Sequence, residues 1–297
     1  MVFRFSLLFE RDLFPKTATT PDHVRGRLFR DHALGSASDF RRHVVTRVVR
    51  QSRRQGVRKT RRESARAGEP IELFYWPTPN GWKVSIMLEE CGLPYVVRPV
   101  DISKGEQFTA WFLAISPNNR MPAIVDPRGP SGRPISVFES GAILQYLGRK
   151  SGKFYPKDER TRVAVEEWLF WQMSGLGPMA GQAVHFRRYA PRQIAYAIAR
   201  YTDEVNRLYG IMNSRLANHE FLAGRYSIAD IACVGWVRLA ERQGQDLAQF
   251  PHVKRWFETI RARDAVKRAF AIRIPAASAV DMRDPKVRAV LFGQRAR

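Results

Sequence analysis

A short apolar run, Ile71-Glu-Leu-Phe-Tyr-Trp76, stops on Pro77-Thr-Pro79 and resumes after Asn80-Gly81 with helical periodicity. This is a strand end that breaks on two prolines and restarts at once as a helix. Proline lacks a backbone N–H and presets φ, so it ends a strand and suits the first turn of a helix. The spacing predicts a strand over 71–76 and a helix over 81–91. Val84, Met87, Leu88 and Cys91 fall at i, i+3, i+4 and i+7, and Gly92 is the stop. Thr78 and Asn80 then stand at a helix mouth, where a hydroxyl, an amide and the helix terminus favour negative charge. Two further fragments belong with this one. Ser116-Pro-Asn-Asn-Arg-Met-Pro-Ala-Ile-Val-Asp126 sets Met121-Pro122 at the opening of a strand, where a cis proline exposes backbone groups to a ligand. Phe138-Glu-Ser-Gly-Ala142 sets an acid and a hydroxyl at the start of another helix.

The remaining periodicities complete one small α/β unit over 70–152. Tyr95–Val100 reads as a strand and Glu106–Ile115 as a short helix ending before Pro117. Ala123–Asp126 and Ile135–Phe138 read as a hairpin, and Ser140–Lys150 as a helix with Ala142, Ile143, Tyr146 and Leu147 inward. The order β-α-β-α-β-β-α is that of a single α/β layer structure. From about Thr161 the pattern is purely helical, giving a second, all-α domain over 158–275. Its clearest segments are Val163–Met173, Pro191–Ala217, Ile228–Gln243 and Val253–Ala262. Ser227-Ile-Ala-Asp230 is a capping-box variant ahead of an apolar helix, a cap worth ~1 kcal/mol. Residues 276–297 read as a polar, basic tail.

Residues 1–69 differ in kind. They carry a net +10 of the chain's +22, in arginine clusters with little apolar periodicity. Phe40, Val44, Val45, Val48 and Val49 allow a short basic amphipathic helix over 40–54. Three readings remain open. A targeting peptide is disfavoured by Asp12, Asp22, Asp31 and Asp39, since such peptides are acid-poor. An arm for nucleic acid or a membrane surface is the second. A disordered extension, or an upstream stretch outside the native frame, is the favoured third, because this composition cannot bury a core. The basic excess continues through the rest of the chain, which points to a composition bias more than to a nucleic-acid site.

The chain has two cysteines, Cys91 and Cys233, both in apolar helical patterns. They read as reduced core residues, and no spacing among them and the six histidines suggests a metal. No apolar run approaches the ~20 residues that span a bilayer. The expectation is a soluble, cytosolic protein.

The motifs taken together resemble the cytosolic glutathione transferases over about residues 70–275, and more closely the bacterial Nu class of glutathione-dependent disulfide reductases. They are Pro77-Thr-Pro-Asn-Gly81, Lys104-Gly-Glu-Gln-Phe108, Ser116-Pro-Asn-Asn119, Met121-Pro-Ala123 and Phe138-Glu-Ser-Gly141 in the first half. In the second they are Trp168-Leu-Phe-Trp-Gln172, Gly175-Leu-Gly-Pro-Met179, Gly181-Gln182, His185-Phe186 and Ser227-Ile-Ala-Asp230. The resemblance implies a thioredoxin-like N-terminal domain followed by an all-α C-terminal domain, in a two-fold dimer. A redox enzyme of thioredoxin type has Cys-x-x-Cys where this chain has Thr78, Pro79, Asn80 and Gly81, so the reactive sulfur is expected from the ligand.

What the resemblance implies for the site is specific. Thr78 and Asn80 hold the glutathione sulfur, with Tyr75 a weaker candidate because other classes use a tyrosine near this point. Glu139 takes the γ-glutamyl ammonium, and Ser140 with backbone N–H groups takes the carboxylate. Met121 pairs through its backbone with the cysteinyl part, as an added strand does. Gln107 and Arg120 sit at the glycyl end, although close relatives often have lysine at the place of Arg120. Arg200, in Tyr196-Ala-Ile-Ala-Arg-Tyr201, reaches the pocket. Trp168, Trp171, Gln172, Gln182, His185 and Phe186 wall the second-substrate side and the dimer groove. Apart from the resemblance, Thr-Pro-Asn-Gly is a turn and helix cap, Ser140 an N-cap, Arg200 a solvated helix residue and His185 structural.

The expected function is glutathione-dependent thiol–disulfide exchange on a disulfide or electrophilic small molecule, with conjugation or peroxide reduction as companion activities. Two alternatives stand beside it. One is a non-catalytic regulator or scaffold on the same fold. The other is a nucleic-acid-associated protein acting through residues 1–69.

Overall fold

The computed structural model describes residues 69–295 apart from 279 and 283. The expectations placed on residues 1–68 lie outside the described residues.

Four strands form one sheet: β1 (Ile71–Tyr75), β2 (Tyr95–Pro99), β3 (Ala123–Asp126) and β4 (Ile135–Phe138), in the order β2-β1-β3-β4. β1 runs parallel to β2, with Leu73 opposite Val97, and antiparallel to β3, with Leu73 opposite Ile124. β3 pairs antiparallel with β4. β1 is buried along its whole length because both faces of the sheet are covered. Ile71, Leu73 and Tyr75 point to the face carrying α1 (Pro79–Cys91) and α2 (Ser140–Ser151), and join one large core with Met87, Leu88 and Ile143. Phe74 points the other way, into a small cluster with Val100, Phe112, Ile115 and Val125. Glu72, buried at the centre of the sheet, is paired by Arg98 of β2.

The helical half comprises α3 (Glu159–Trp171), α4 (Gly177–Val184), α5 (Ala195–Ala217), α6 (Ile228–Val237), α7 (Pro251–Arg261) and α8 (Asp264–Ala271), followed by α9 (Pro285–Phe292). α6 lies at its centre with nearly every residue buried. The capping box forms as expected: Asp230 accepts from the Ser227 backbone N–H at 3.0 Å, and the Ser227 side chain accepts in return from the helix. Asp230 also accepts from Leu222 N at 3.0 Å and from the Trp256 indole at 2.8 Å, so it ties α6 to α7. α1 belongs to the α/β unit but packs against α2, α6 and α8. Its C-terminal end is clamped to the helical half by Arg263–Glu90 and Arg268–Glu89 ion pairs at 2.6 and 2.7 Å. The two halves thus share one core.

Several boundaries differ from the sequence expectation. α1 begins at Pro79, two residues early, because Thr78 rather than a later residue is the cap. The helix expected over Glu106–Ile115 is a 3₁₀ turn, Glu106–Phe108, then one helical turn, Ala110–Leu113, because Thr109 interrupts it with an extended backbone. α6 ends at Val237 and continues as a 3₁₀ turn, Ala240–Gln243. The long run from α3 to Tyr189 was not resolved by periodicity, because two π-helical turns, Gln172–Leu176 and His185–Tyr189, flank α4 and shift its register. The segment read as a polar tail carries α9, capped by Asp284. No helix among the described residues is long and apolar enough to cross a membrane.

Candidate active site

The turn between β1 and α1 is where the site begins. Thr78 is the N-cap of α1, its Oγ1 accepting from Gly81 N at 3.2 Å. Gly81 is required there: a Cβ would come within 2.2 Å of the Trp76 carbonyl. The Thr78 hydroxyl also faces Met121 Sδ at 3.8 Å. Met121-Pro122 is cis, and the loop before it is held by Ser116 Oγ donating to the Arg120 carbonyl at 2.8 Å. Glu139, with φ of 66°, is the last residue before α2, and its carboxylate accepts from Asn118 Nδ2 at 3.1 Å. Ser140 is the first residue of α2 and is buried.

These pieces frame a cavity of about 640 Å³ between the α/β unit and the helical half. Thr78, Asn80, Arg120, Met121, Glu139 and Ser140 all line it. Trp236 and Leu239 close it from the α6 side, and Leu291 and Phe292 of α9 from above. The Phe292 ring packs against His185 and Tyr189, with centroids 4.7 and 5.9 Å apart, and Arg120 Nη1 donates to Gln294 at 2.8 Å. The C-terminal segment is therefore a wall of the site.

Three residues expected near the ligand are placed differently. Gln107 is buried behind the loop, its Nε2 donating to the Ile102 carbonyl at 3.2 Å, and Ile102 rather than Gln107 lines the cavity. Arg200 is more than half exposed and faces Glu204 on its own helix at 3.8 Å, because α5 turns that position to solvent. Tyr75 lies in the core and outside the cavity lining, and burial pushes its phenol up to about 12. Arg120 lines the cavity but spends one arm on Gln294. Of the second-substrate candidates, Gln172 and Gln182 line a smaller adjoining cleft of about 380 Å³. The Trp168 and Trp171 rings pack on each other at 5.3 Å. His185 is held below its ordinary range by burial and by Arg288, and touches the site through Phe292.

Sequence reasoning missed two partners. Trp236 Nε1 donates to Asn80 Oδ1 at 3.3 Å. Lys83 is fully buried on the inner face of α1, its Nζ donating to Gln172 Oε1 at 2.6 Å and to Ser140 Oγ at 3.3 Å. A lysine one residue from Val84 and i−4 from Met87, inside the apolar stripe, was the available signal. Neither cysteine lines the cavity; both are buried, and burial pushes both thiols up. Among the described residues there is no metal-binding cluster.

Comparison with known proteins agrees with this geometry. Residues 78–150 match the model of the glutathione S-transferase N-terminal domain, and residues 180–264 that of the C-terminal domain. The chain is 53% identical over 201 residues to the disulfide-bond oxidoreductase YfcG of Escherichia coli K12, covering 67% of this chain and 94% of that protein. The chain belongs to the glutathione transferase family. Among solved structures, a glutathione transferase family member from Pseudomonas fluorescens with two glutathione bound is 43% identical, with a TM-score of 0.66 over 70% of this chain and 96% of that one. A glutathione transferase from Pseudomonas putida, with one glutathione disulfide bound per subunit, is 41% identical, with a TM-score of 0.67 over 72% of this chain and 96% of that one. Both family domains are present here, and the cavity lies between them. The thioredoxin-like and all-α halves are those of a glutathione transferase.

Proposed function

We propose that this glutathione transferase is a glutathione-dependent disulfide reductase whose reactive sulfur is supplied by the ligand. The observation that carries the reading is a cavity framed by Thr78, Asn80, Met121, Glu139 and Ser140 with no cysteine on its walls. A thiol has an ordinary pKa of ~8.5, so bringing it to ~6.5 takes about 2.7 kcal/mol. Two hydrogen bonds to the thiolate and the N-terminus of α1 are enough for that. In the first step the glutathione thiolate attacks one sulfur of a bound disulfide. The S–S bond breaks, a mixed disulfide forms, and the other sulfur leaves as a thiolate that takes a proton from water. A second glutathione thiolate attacks the mixed disulfide, giving oxidised glutathione and releasing the second thiol.

Glu139 suits the γ-glutamyl ammonium, and Ser140 at the first turn of α2 suits the neighbouring carboxylate. The backbone of Met121 suits the cysteinyl amide. The bound glutathiones of the Pseudomonas proteins and the name of the Escherichia coli relative favour the same chemistry. The test is reduction of a small disulfide by glutathione, followed through NADPH consumption with added glutathione reductase. Steady turnover that depends on Asn80 and Thr78 is the expected result. Glutathione binding without turnover would move the protein to the non-catalytic reading.

A further inference from the structure

Lys83 is the largest unexplained feature beneath the cavity. Its ammonium lies at the junction of α1, the first turn of α2 and the π-helical turn at Gln172–Leu176. Its contacts are neutral: Gln172 Oε1 at 2.6 Å, Met173 Sδ at 3.2 Å and Ser140 Oγ at 3.3 Å. Among the described residues no carboxylate lies within ion-pair distance. A buried cation without a counter-ion is costly, and such groups are paired or lose their charge. The adjoining cleft, lined by Lys83, Glu139, Gln172, Met173 and Gly177, opens beside it. There Gln172 Nε2 is buried with no hydrogen-bond partner and stands against Gly177, where a Cβ would approach it to 2.7 Å. The floor of this corner therefore offers a cation and a spare N–H donor with no anion in contact; Glu139 lines the same cleft but accepts from Asn118 and makes no ion pair with Lys83.

We infer that Lys83 is the positioning cation of the γ-glutamyl subsite, and that its missing counter-ion is the α-carboxylate of the bound tripeptide. This rests on the glutathione reading above. An ammonium can only donate, so charged Lys83 makes Ser140 Oγ an acceptor on its inner side; the Ser140 proton, which faces Met173 Sδ across a long 3.7 Å, is then the one that swings to the arriving carboxylate. Glu139 meanwhile takes the ligand ammonium, and the zwitterionic head is matched charge for charge. Neutral Lys83 can accept from Ser140 instead, and the outward donor is lost.

Ligand binding is then coupled to a proton. Burial lowers Lys83 to about 7, opposed by Cys233 of α6 and by Glu139 before α2. Those are the titratable groups that face it; Gln172 and Met173 from the π turn are neutral, and the Arg263 and Arg268 ion pairs sit at the far end of α1. The Cys233 thiol is itself pushed well up by burial and is uncharged near neutrality. Below pH ~7 Lys83 carries its proton before the ligand arrives. Above that pH the free protein is largely neutral there, and the arriving carboxylate draws a proton in.

The test is calorimetry of the full chain with S-methylglutathione, which has no ionisable thiol, in buffers of different ionisation enthalpy. At pH 7.5 we expect uptake of about half a proton or more per site, falling toward zero at pH 6. Affinity should be flat below pH 7 and then fall by up to about tenfold per pH unit. The 4-aminobutyryl analogue, which keeps the ammonium and lacks the α-carboxylate, should bind more weakly with no uptake. Lys83→Met should bind S-methylglutathione at least about tenfold more weakly at pH 6.5, also with no uptake. Equal uptake with both ligands, or no uptake by wild-type protein whose binding still depends on Glu139, would overturn the role of Lys83. No binding of S-methylglutathione at all would overturn the glutathione reading first.

Discussion

Trp236 holds Asn80 by its side chain: the indole N–H of α6 donates to Asn80 Oδ1 across 3.3 Å. An indole nitrogen is a donor only, so the carboxamide atom facing it is the oxygen. The Asn80 NH₂ is therefore left to face the cavity, the orientation that donates to a thiolate. Trp236→Phe keeps the ring and removes this constraint. Turnover at neutral pH should fall about three- to tenfold, the value of one neutral hydrogen bond, with partial recovery at higher pH. A pH–rate profile beside thiolate absorbance of bound glutathione checks it. An unshifted profile would show that the amide orients without the tryptophan.

Thr78 and Tyr75 should separate cleanly. Thr78 lines the cavity and caps α1, whereas Tyr75 is core and outside the lining. Thr78→Ala should raise the pKa of bound glutathione and cut turnover roughly ten- to a hundredfold, as expected for one lost hydrogen bond of about 1.5–3 kcal/mol to a charged group. Tyr75→Phe should leave the pH profile unchanged. A shift seen with Tyr75→Phe alone would place this protein with the tyrosine-dependent transferases.

Glu139→Ala should weaken glutathione binding more than any other single change at the cavity, because it leaves the ligand ammonium unpaired in a partly enclosed site. A loss of about tenfold or more in calorimetric affinity is expected. Gln107→Ala and Arg200→Ala should change affinity by less than about twofold, since one residue lies behind the loop and the other faces solvent.

Asp230 is the structural counterpart in the helical half. Asp230→Ala strips four donors, Leu222 N, Ser227 N, Ser227 Oγ and Trp256 Nε1, of their buried acceptor. Urea denaturation should report a loss of about 3 kcal/mol or more, against ~1 kcal/mol for Ser227→Ala. Burial raises Asp230 to about 6. Between its unfolded value of ~3.9 and 6 the folded state therefore binds more protons, and this group's contribution to stability falls as pH rises through that window. Asp230→Asn should lack that slope.

The devices that frame the cavity and the order of elements were legible locally. The strand ending at Tyr75, the caps at Thr78 and Ser227, the glycine stop at Gly92 and the hydroxyl at Ser140 are short-range devices, and each is written within a few residues. Their periodicities sufficed to place the α/β unit before the helical one. Less was legible where two remote segments meet. Arg200 and Gln107 have the right chemistry for a ligand, but the rotation of a helix and the path of a loop decide what a side chain reaches. The π turns at Gln172 and His185 shift the helix register by an amount that no apolar pattern records. Polar pairing across the core is the extreme case. The sequence by itself determined that a strand, two prolines and a helix would present Thr78 and Asn80 at an anion-favouring mouth. Only the tertiary structure decided that Trp236, 156 positions along the chain, orients Asn80, and that Lys83 meets Ser140 and Gln172. Hydrogen bonds and desolvation act over a few ångströms of space, and separation along the chain carries no information about them until the core has closed.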